Sequence, residues 1–410
     1  LDHLGDWLGE RGIRFSYQIR TDDFVLANAK ALRSTVEPTY DFVITNPPYF
    51  KVRKDDPRAQ AVLQIVYGQP NIYAFFMALS AALLNPGGKL ISITPRSFST
   101  GSYFKAFRRW FFRVVRPTWI HLFGSRKEAF DRDSVLQENV VMVSQKDEDW
   151  DIWYPVSVSY SNGVTDLENI TSIDVGISDI LQKDDTNRVL SIPVTGRETK
   201  VVKLVRSWKG NLHSYGLEVS TGPVVPFRAQ EHLLWSPTEE SAPLIWMQHV
   251  GSMDIRWPIT GLEKCQYIDI SESSLALLLP KKNYVVMRRF SSKEESRRLV
   301  SAPILAREID CKWIGIENHL NYIHRPNGEL TENEAYGIAA LFNSRILDTY
   351  FRTSNGNTQV SAEELRNMPL PPIEIIREFG RQLIAKRVQS DEIDDWLQSQ
   401  ETMGGTGTYG

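Results

Sequence analysis

The chain has 410 residues, 42% hydrophobic and 24% charged, which is globular composition with room for two cores. Its net charge of −3 excludes a general electrostatic attraction to nucleic acid, so any such contact must come from local patches. Cys265 and Cys311 are too few for a disulfide framework or a cysteine-built zinc site, and no apolar run approaches the roughly 18 residues of a membrane span.

These features lead us to expect a reducing, cytoplasmic setting and no membrane association. The first residue is Leu1, so we expect the chain to begin inside a longer protein. In chain order, Asp41 to Thr45 is a short apolar run bounded by polar residues, as expected of a buried parallel strand. The spacing of Ile72, Phe75, Phe76, Leu79, Ala82 and Leu83 predicts a helix over 71–84, stopped by Asn85-Pro86-Gly87-Gly88. Lys89 to Thr94 reads as the next strand. A second helix is predicted over 102–115, with Phe104, Phe107, Trp110, Phe111 and Val114 on one side. Residues 119–123, 139–144 and 153–160 read as further strands. Strands alternating with helices imply a doubly wound α/β sheet over 1–195. From residue 196 onward, short strands and Pro/Gly turns, then a helix over 332–351, predict a second domain of mixed α+β type.

The first strand runs into Asn46-Pro47-Pro48-Tyr49. Two prolines cannot continue a ladder, and Asn46 before Pro47 is pushed out of the helical region. The product is a stiff turn at the carboxyl end of a strand, where open α/β sheets bind ligands. That turn suits an exocyclic aromatic amine, such as N6 of adenine. The amine's lone pair is delocalised into its ring, and two acceptors for its two hydrogens localise it. Asn46 Oδ1 and the Pro47 carbonyl are those acceptors. Tyr49 offers a flat face for the base. The plainer reading is a stiff turn alone.

The first domain resembles the gamma class of DNA adenine-N6 methyltransferases. Within that class it is most similar to the modification methylases of type II restriction systems of the PstI/BsuBI kind. The resemblance rests on TDDFVL (21–26), NPPY (46–49), NPGGKLISITPRSF (85–98), YFKAFRRW (103–110), HLFGSRKEAFDRDSVLQENVV (121–141) and NGNTQVSAEELRNMPLP (355–371). It implies a Rossmann-like methyltransferase sheet over 1–195, a target-recognition domain over 196–410, and S-adenosyl-L-methionine as cofactor. It further implies double-stranded DNA as partner, a cognate restriction endonuclease encoded nearby, a monomer, and a bacterial or archaeal cytoplasm. By position, Asn46, Pro47, Pro48 and Tyr49 match the catalytic motif. Asp23 and Phe24 match the acidic–aromatic pair that holds the cofactor adenine, with Asp22 as a rival, and Asn46 is expected to bind the cofactor as well. Phe130 matches an aromatic that stacks on the other face of the extruded base. The glycine-rich turn that such enzymes use for the cofactor is not found in residues 1–20, where Gly5, Gly9 and Gly12 have the wrong spacing. The sheet is therefore expected to be N-terminally incomplete in this chain.

A duplex base must be flipped out to reach such a pocket, at a cost of a few kcal/mol. Two basic stretches are candidates for offsetting that cost through phosphate contacts. One holds Arg108 and Arg109; the other runs over 281–298 and holds Lys281, Lys282, Arg288 and Arg289. Asn357 lies in one of two polar loops suited to DNA, 355–358 and 220–223. Ordinary solvated ribbons and turns would look the same. No histidine pair has metal-ligand spacing, so no metal is assigned. The rival functions are methylation of cytosine N4, RNA adenine or a protein amide, a catalytically inactive DNA-binding module, and a piece of a fused restriction–modification enzyme.

Overall fold

The computed structural model describes residues 2–33, 37–124, 138–151, 153–163, 166–181, 188–292 and 294–404. The first sheet has six strands: β1 (Tyr40–Thr45), β2 (Leu84–Pro95), β3 (Val115–Phe123), β4 (Asn139–Lys146), β5 (Pro155–Ser161) and β6 (Thr171–Gly176), in the order β1-β2-β4-β3-β5-β6. β1 runs parallel to β2, and β3 parallel to β5; β4 is inserted antiparallel between β2 and β3. The α/β class holds, but the sheet is mixed, because β4 and β6 run antiparallel to their neighbours.

Helix Ile72–Ala82 forms where the apolar spacing predicts it. Asn71 caps it, accepting from the Tyr73 N–H at 3.4 Å. It buries Ile72, Tyr73, Phe75, Met77 and Leu79 in the first core. Helix Lys105–Val114 buries Phe107, Phe111, Phe112 and Val114 in the same core. Trp110, expected on that face, is only partly buried. β1 departs from expectation more sharply. Among the described residues its one strand neighbour is β2, and Phe42 and Ile44 are 66% and 77% exposed. An apolar run in a parallel strand signals two covered faces, but here one edge and much of one face are open.

Beyond residue 195 two smaller sheets carry the chain. One contains β7 (Glu218–Thr221), β12 (Tyr284–Arg288), β13 (Ser301–Ile304) and β15 (Leu320–His324), in the order β13-β12-β15-β7. The other contains β8 (Leu233–Leu234), β9 (Ser241–Ile245), β10 (Tyr267–Asp269), β11 (Leu278–Pro280) and β14 (Trp313–Ile316), in the order β11-β14-β9-β10-β8. Helices Glu332–Phe342 and Ile373–Ile384 cover the four-stranded sheet's core. The single helix expected over 332–351 is two. Asn343 turns its amide onto Ser301, and Ser344 caps a new helix, Arg345–Ser354, by accepting from the Leu347 N–H at 3.0 Å. Among the described residues, no helix is long and apolar enough to cross a membrane.

Candidate active site

The ladder between β1 and β2 ends at Thr45, and Asn46 to Tyr49 project from the carboxyl end of the sheet. Asn46 is exposed and Pro47 buried. The chain beyond is held by a return segment: the Val52 N–H donates to the Pro70 carbonyl at 3.1 Å, and the Ile72 N–H to the Phe50 carbonyl at 3.0 Å. The Tyr49 hydroxyl lies 2.6 Å from Asn46 Oδ1 and 2.9 Å from the Ile93 carbonyl on β2. A hydroxyl has one hydrogen. Donating it to Ile93 releases an Asn46 lone pair for another donor. Tyr73 stands edge-on to the Tyr49 ring, with centroids 6.3 Å apart and planes at 89°. Tyr73 is fully buried, which pushes its hydroxyl pKa up, and it shares a 2.9 Å hydrogen bond with Ser97 Oγ. Tyr49 is thus held by one hydroxyl hydrogen within reach of two acceptors and by an edge contact, leaving its ring beside the Asn46 amide.

A cavity of about 370 Å³ lies against β1, lined by Asp22, Phe24, Phe42 and Ile44 among others. Ile44 is two residues before Asn46, so cavity and turn adjoin. Phe24 stacks on Phe76 at 4.8 Å and is partly exposed. Asp23 caps the short helix Phe24–Asn28, its Oδ1 accepting from the Leu26 N–H at 3.0 Å. The structure therefore puts Asp22, rather than Asp23, on the cavity wall with Phe24. Asp22 pairs there with Arg20 at 2.9 Å. An aromatic ring and a carboxylate are what a purine with an exocyclic amine requires. Gly5 and Gly9 lie within helix Asp2–Gly9, and no glycine-rich strand-to-helix turn appears among the described residues before Asp23. Phe130 lies outside the described residues.

The basic candidates divide. Arg108 is buried and donates from Nη1 to the Phe98 and Gly101 carbonyls at 2.9 and 2.7 Å. It braces a turn rather than facing a phosphate, whereas Arg109 is exposed. Helical spacing alone would have separated them, since adjacent residues point about 100° apart. The 281–298 run is likewise not one surface. Lys281 and Lys282 precede β12 and Arg288 ends it, so the two pairs sit at opposite ends of that strand. Lys282 Nζ donates to the Gly328 carbonyl at 3.0 Å. Arg288 Nε donates to the Val250 carbonyl at 2.7 Å, and Arg289 Nη1 to the Asn318 carbonyl at 3.0 Å.

The two polar loops do come together, at the Arg288 end of the four-stranded sheet. Thr221 pairs with Asn321 across β7 and β15, and its Oγ1 donates to Asn321 Oδ1 at 3.2 Å. Asn321 Nδ2 reaches the Val360 carbonyl at 2.9 Å. The Ser291 N–H donates to the Thr358 carbonyl at 3.0 Å, and Phe290 bridges Gln359. Residues 220–223, 288–291, 317–319 and 355–358 therefore adjoin at one end of the sheet, with His319 and Thr358 exposed and Gly222, Ser291, Glu317 and Asn355 buried beneath. Asn357 is also there, half-buried, with its N–H on Asn355 Oδ1 at 2.8 Å.

Residues 13–130 match the family model described as the Eco57I restriction-modification methylase. The type II methyltransferase M.PstI of Providencia stuartii is 33% identical over 385 residues, covering 93% of this chain and 75% of M.PstI. M.BsuBI of Bacillus subtilis is 34% identical over 394 residues, covering 94% of this chain and 77% of M.BsuBI. The chain belongs to this type II methyltransferase family. The type IIL restriction–modification enzyme MmeI, solved in complex with DNA, shares its fold. The TM-score is 0.52 at 12% identity, over 93% of this chain and 55% of that one. The family assignment carries a DNA methyltransferase function of restriction–modification type on a Rossmann-like sheet.

Sequence reasoning missed what lies behind the turn at Asn46–Tyr49. Tyr73 falls inside the helix expected over 71–84 but off its apolar stripe, and nothing in the sequence singles it out. Arg96 reads only as part of a quoted resemblance. A lone arginine directly after an apolar strand is a weak signal, but it was there to be read.

Proposed function

We propose that this methyltransferase transfers a methyl group to N6 of adenine in double-stranded DNA, as the modification half of a restriction–modification system. The observation that carries the reading is the exposed Asn46 amide at the end of β1, fixed beside the Tyr49 ring by the Tyr49 hydroxyl. Asn46 Oδ1 and the Pro47 carbonyl accept the two amine hydrogens and localise the nitrogen lone pair. The same two oxygens stabilise the positive charge that develops on nitrogen during transfer. The nitrogen then releases a proton to water.

Tyr49 stacks on the flipped base and offsets part of the unstacking cost. Phe24 and Asp22 would hold the adenine of S-adenosyl-L-methionine, which supplies a methyl group on a sulfonium when bound. We take 1–195 as the catalytic part and 196–410 as the target-recognition part, with the face built from 220–223, 288–291, 317–319 and 355–358 turned to DNA. Arg109 is the exposed basic candidate on the catalytic side.

The test is incubation of the full-length protein with labelled S-adenosyl-L-methionine and plasmid DNA, followed by digestion to nucleosides. Label in N6-methyladenine supports the reading. Label in N4-methylcytosine, or in RNA offered alongside, overturns it.

A further inference from the structure

Arg96 is the first residue past β2, and its side chain is 2% exposed. Its N–H donates to the Glu138 carbonyl at 2.7 Å, and its Nη1 to the Glu138 carboxylate at 3.0 Å. Nη2 donates to the carbonyls of Arg352, at 3.0 Å, and Thr353. Those carbonyls belong to the last turn of helix Arg345–Ser354. Carbonyls in a last turn have no partners within their helix, and a cation there also meets the negative end of the helix dipole. Ser99 Oγ adds a bond to the Ser354 carbonyl at 2.7 Å. One buried guanidinium thus joins the catalytic end of the first sheet to a helix of the second part.

Each side of this junction leads to a working element. Ile93, three residues before Arg96, accepts the Tyr49 hydroxyl, and Ser97, the next residue, holds Tyr73 against the Tyr49 ring. On the other side the helix continues into the loop 355–358. A Cβ added at Gly356 would stand 3.0 to 3.2 Å from three carbons of the Arg96 side chain, so the loop backbone lies directly on its stem. Asn357 follows at once.

We propose that Arg96 is a positioning residue that couples the DNA-facing loop 355–358 to the amine pocket at Asn46 and Tyr49. This rests on the function proposed above and adds how the reading face acts on the chemistry. A buried Arg–Glu pair is a weak source of stability, because desolvation offsets the attraction. What the rigid guanidinium fork supplies is fixed geometry among three partners, which a lysine cannot reproduce. A loop seated on its cognate base pairs holds the fork, and with it the 96–98 turn, whose Ser97 keeps Tyr73 against the Tyr49 ring. A loop displaced by a wrong pair shifts that turn. The target is then selected in the transfer step as well as in binding.

The experiment uses full-length wild type, Arg96→Lys and Glu138→Gln. Single-turnover methyl transfer and Kd are measured on an unmodified duplex carrying the site that the wild type methylates in plasmid, and on duplexes altered at one base pair of it. The coupling predicts that Arg96→Lys lowers the cognate-to-altered ratio of transfer rates by roughly tenfold, while the ratio of Kd values stays within about twofold. A merely structural role lowers the active fraction equally on both duplexes and cancels in the ratio. An unchanged rate ratio overturns the proposal. Should Arg96→Lys not fold, Glu138→Gln gives the same reading, since it removes the ionic partner and keeps the shape. Absence of transfer by the wild type is failure of the proposed function, whereas an unchanged ratio in an active enzyme is failure of the coupling alone.

Discussion

In the function we propose, Asn46 and Tyr49 divide the work at the turn, and their roles separate by substitution. Tyr49→Phe keeps the stacking face and removes the hydroxyl that lies on Asn46 Oδ1 and the Ile93 carbonyl. Losing one such bond costs about 1 kcal/mol, so the transfer rate should fall roughly fivefold with DNA affinity unchanged. Steady-state kinetics on plasmid DNA measures this, and an unaltered rate would remove the hydroxyl from the account. The turn itself was legible in the sequence because Asn-Pro-Pro-Tyr after a strand has few structural explanations. Its supports were not. Tyr73 and Arg96 act through contacts 24 and 256 residues away along the chain, and no local pattern marks those. Arg108 was misread because composition registers charge and not the direction in which a side chain points.

Local periodicity placed helices Ile72–Ala82 and Lys105–Val114 and the end of β1 well, missed the shorter helices such as Phe24–Asn28 and Pro57–Ala61, and failed where tertiary partners decide. The 332–351 stripe continues through Asn343 and Ser344, yet the amide of Asn343 prefers Ser301 and the helix breaks there. The crossing of helices Glu332–Phe342 and Ile373–Ile384 was equally invisible. It depends on two glycines: a Cβ at Gly337 would lie 2.0 Å from the Ile376 carbonyl oxygen, and one at Gly380 would lie 1.9 Å from that of Asn333. Alanine is the better helix former by about 1 kcal/mol, but here backbone blocks it. Gly380→Ala should therefore destabilise the protein by about 2 kcal/mol or more, read as a lower urea midpoint. A neutral or stabilising effect would mean that the helices do not approach so closely.

Over the whole molecule, buried histidines set a pH limit. Burial pushes the pKa of His121, His249 and His324 below the ordinary 6.5. His121 sits between Ser159 and Ser161, with Asp166 opposing the shift. His249 bonds Gln266 near Lys264, and His324 lies between Glu218 and Lys282. The folded state holds these rings neutral, and the unfolded state protonates below 6.5. Their contribution is therefore complete above 6.5 and is lost as the pH falls through the depressed folded values. The melting temperature should be lower at pH 5 than at pH 7.5, less so in a His121→Asn variant. The α/β class was readable from alternating strands and helices. The meeting of four polar segments at one end of the four-stranded sheet was not, because strand pairing across more than 100 residues brings them together. The account stands or falls on the turn at the end of β1. The most direct measurement is the N6-methyladenine content of plasmid from cells expressing the full-length protein, wild type against Asn46→Ala, with DNA affinity measured on both purified proteins. The account predicts modified adenine in the wild type, a loss of at least about a hundredfold in transfer for Asn46→Ala, and affinity within about twofold. Modified adenine persisting at wild-type levels in Asn46→Ala would contradict it.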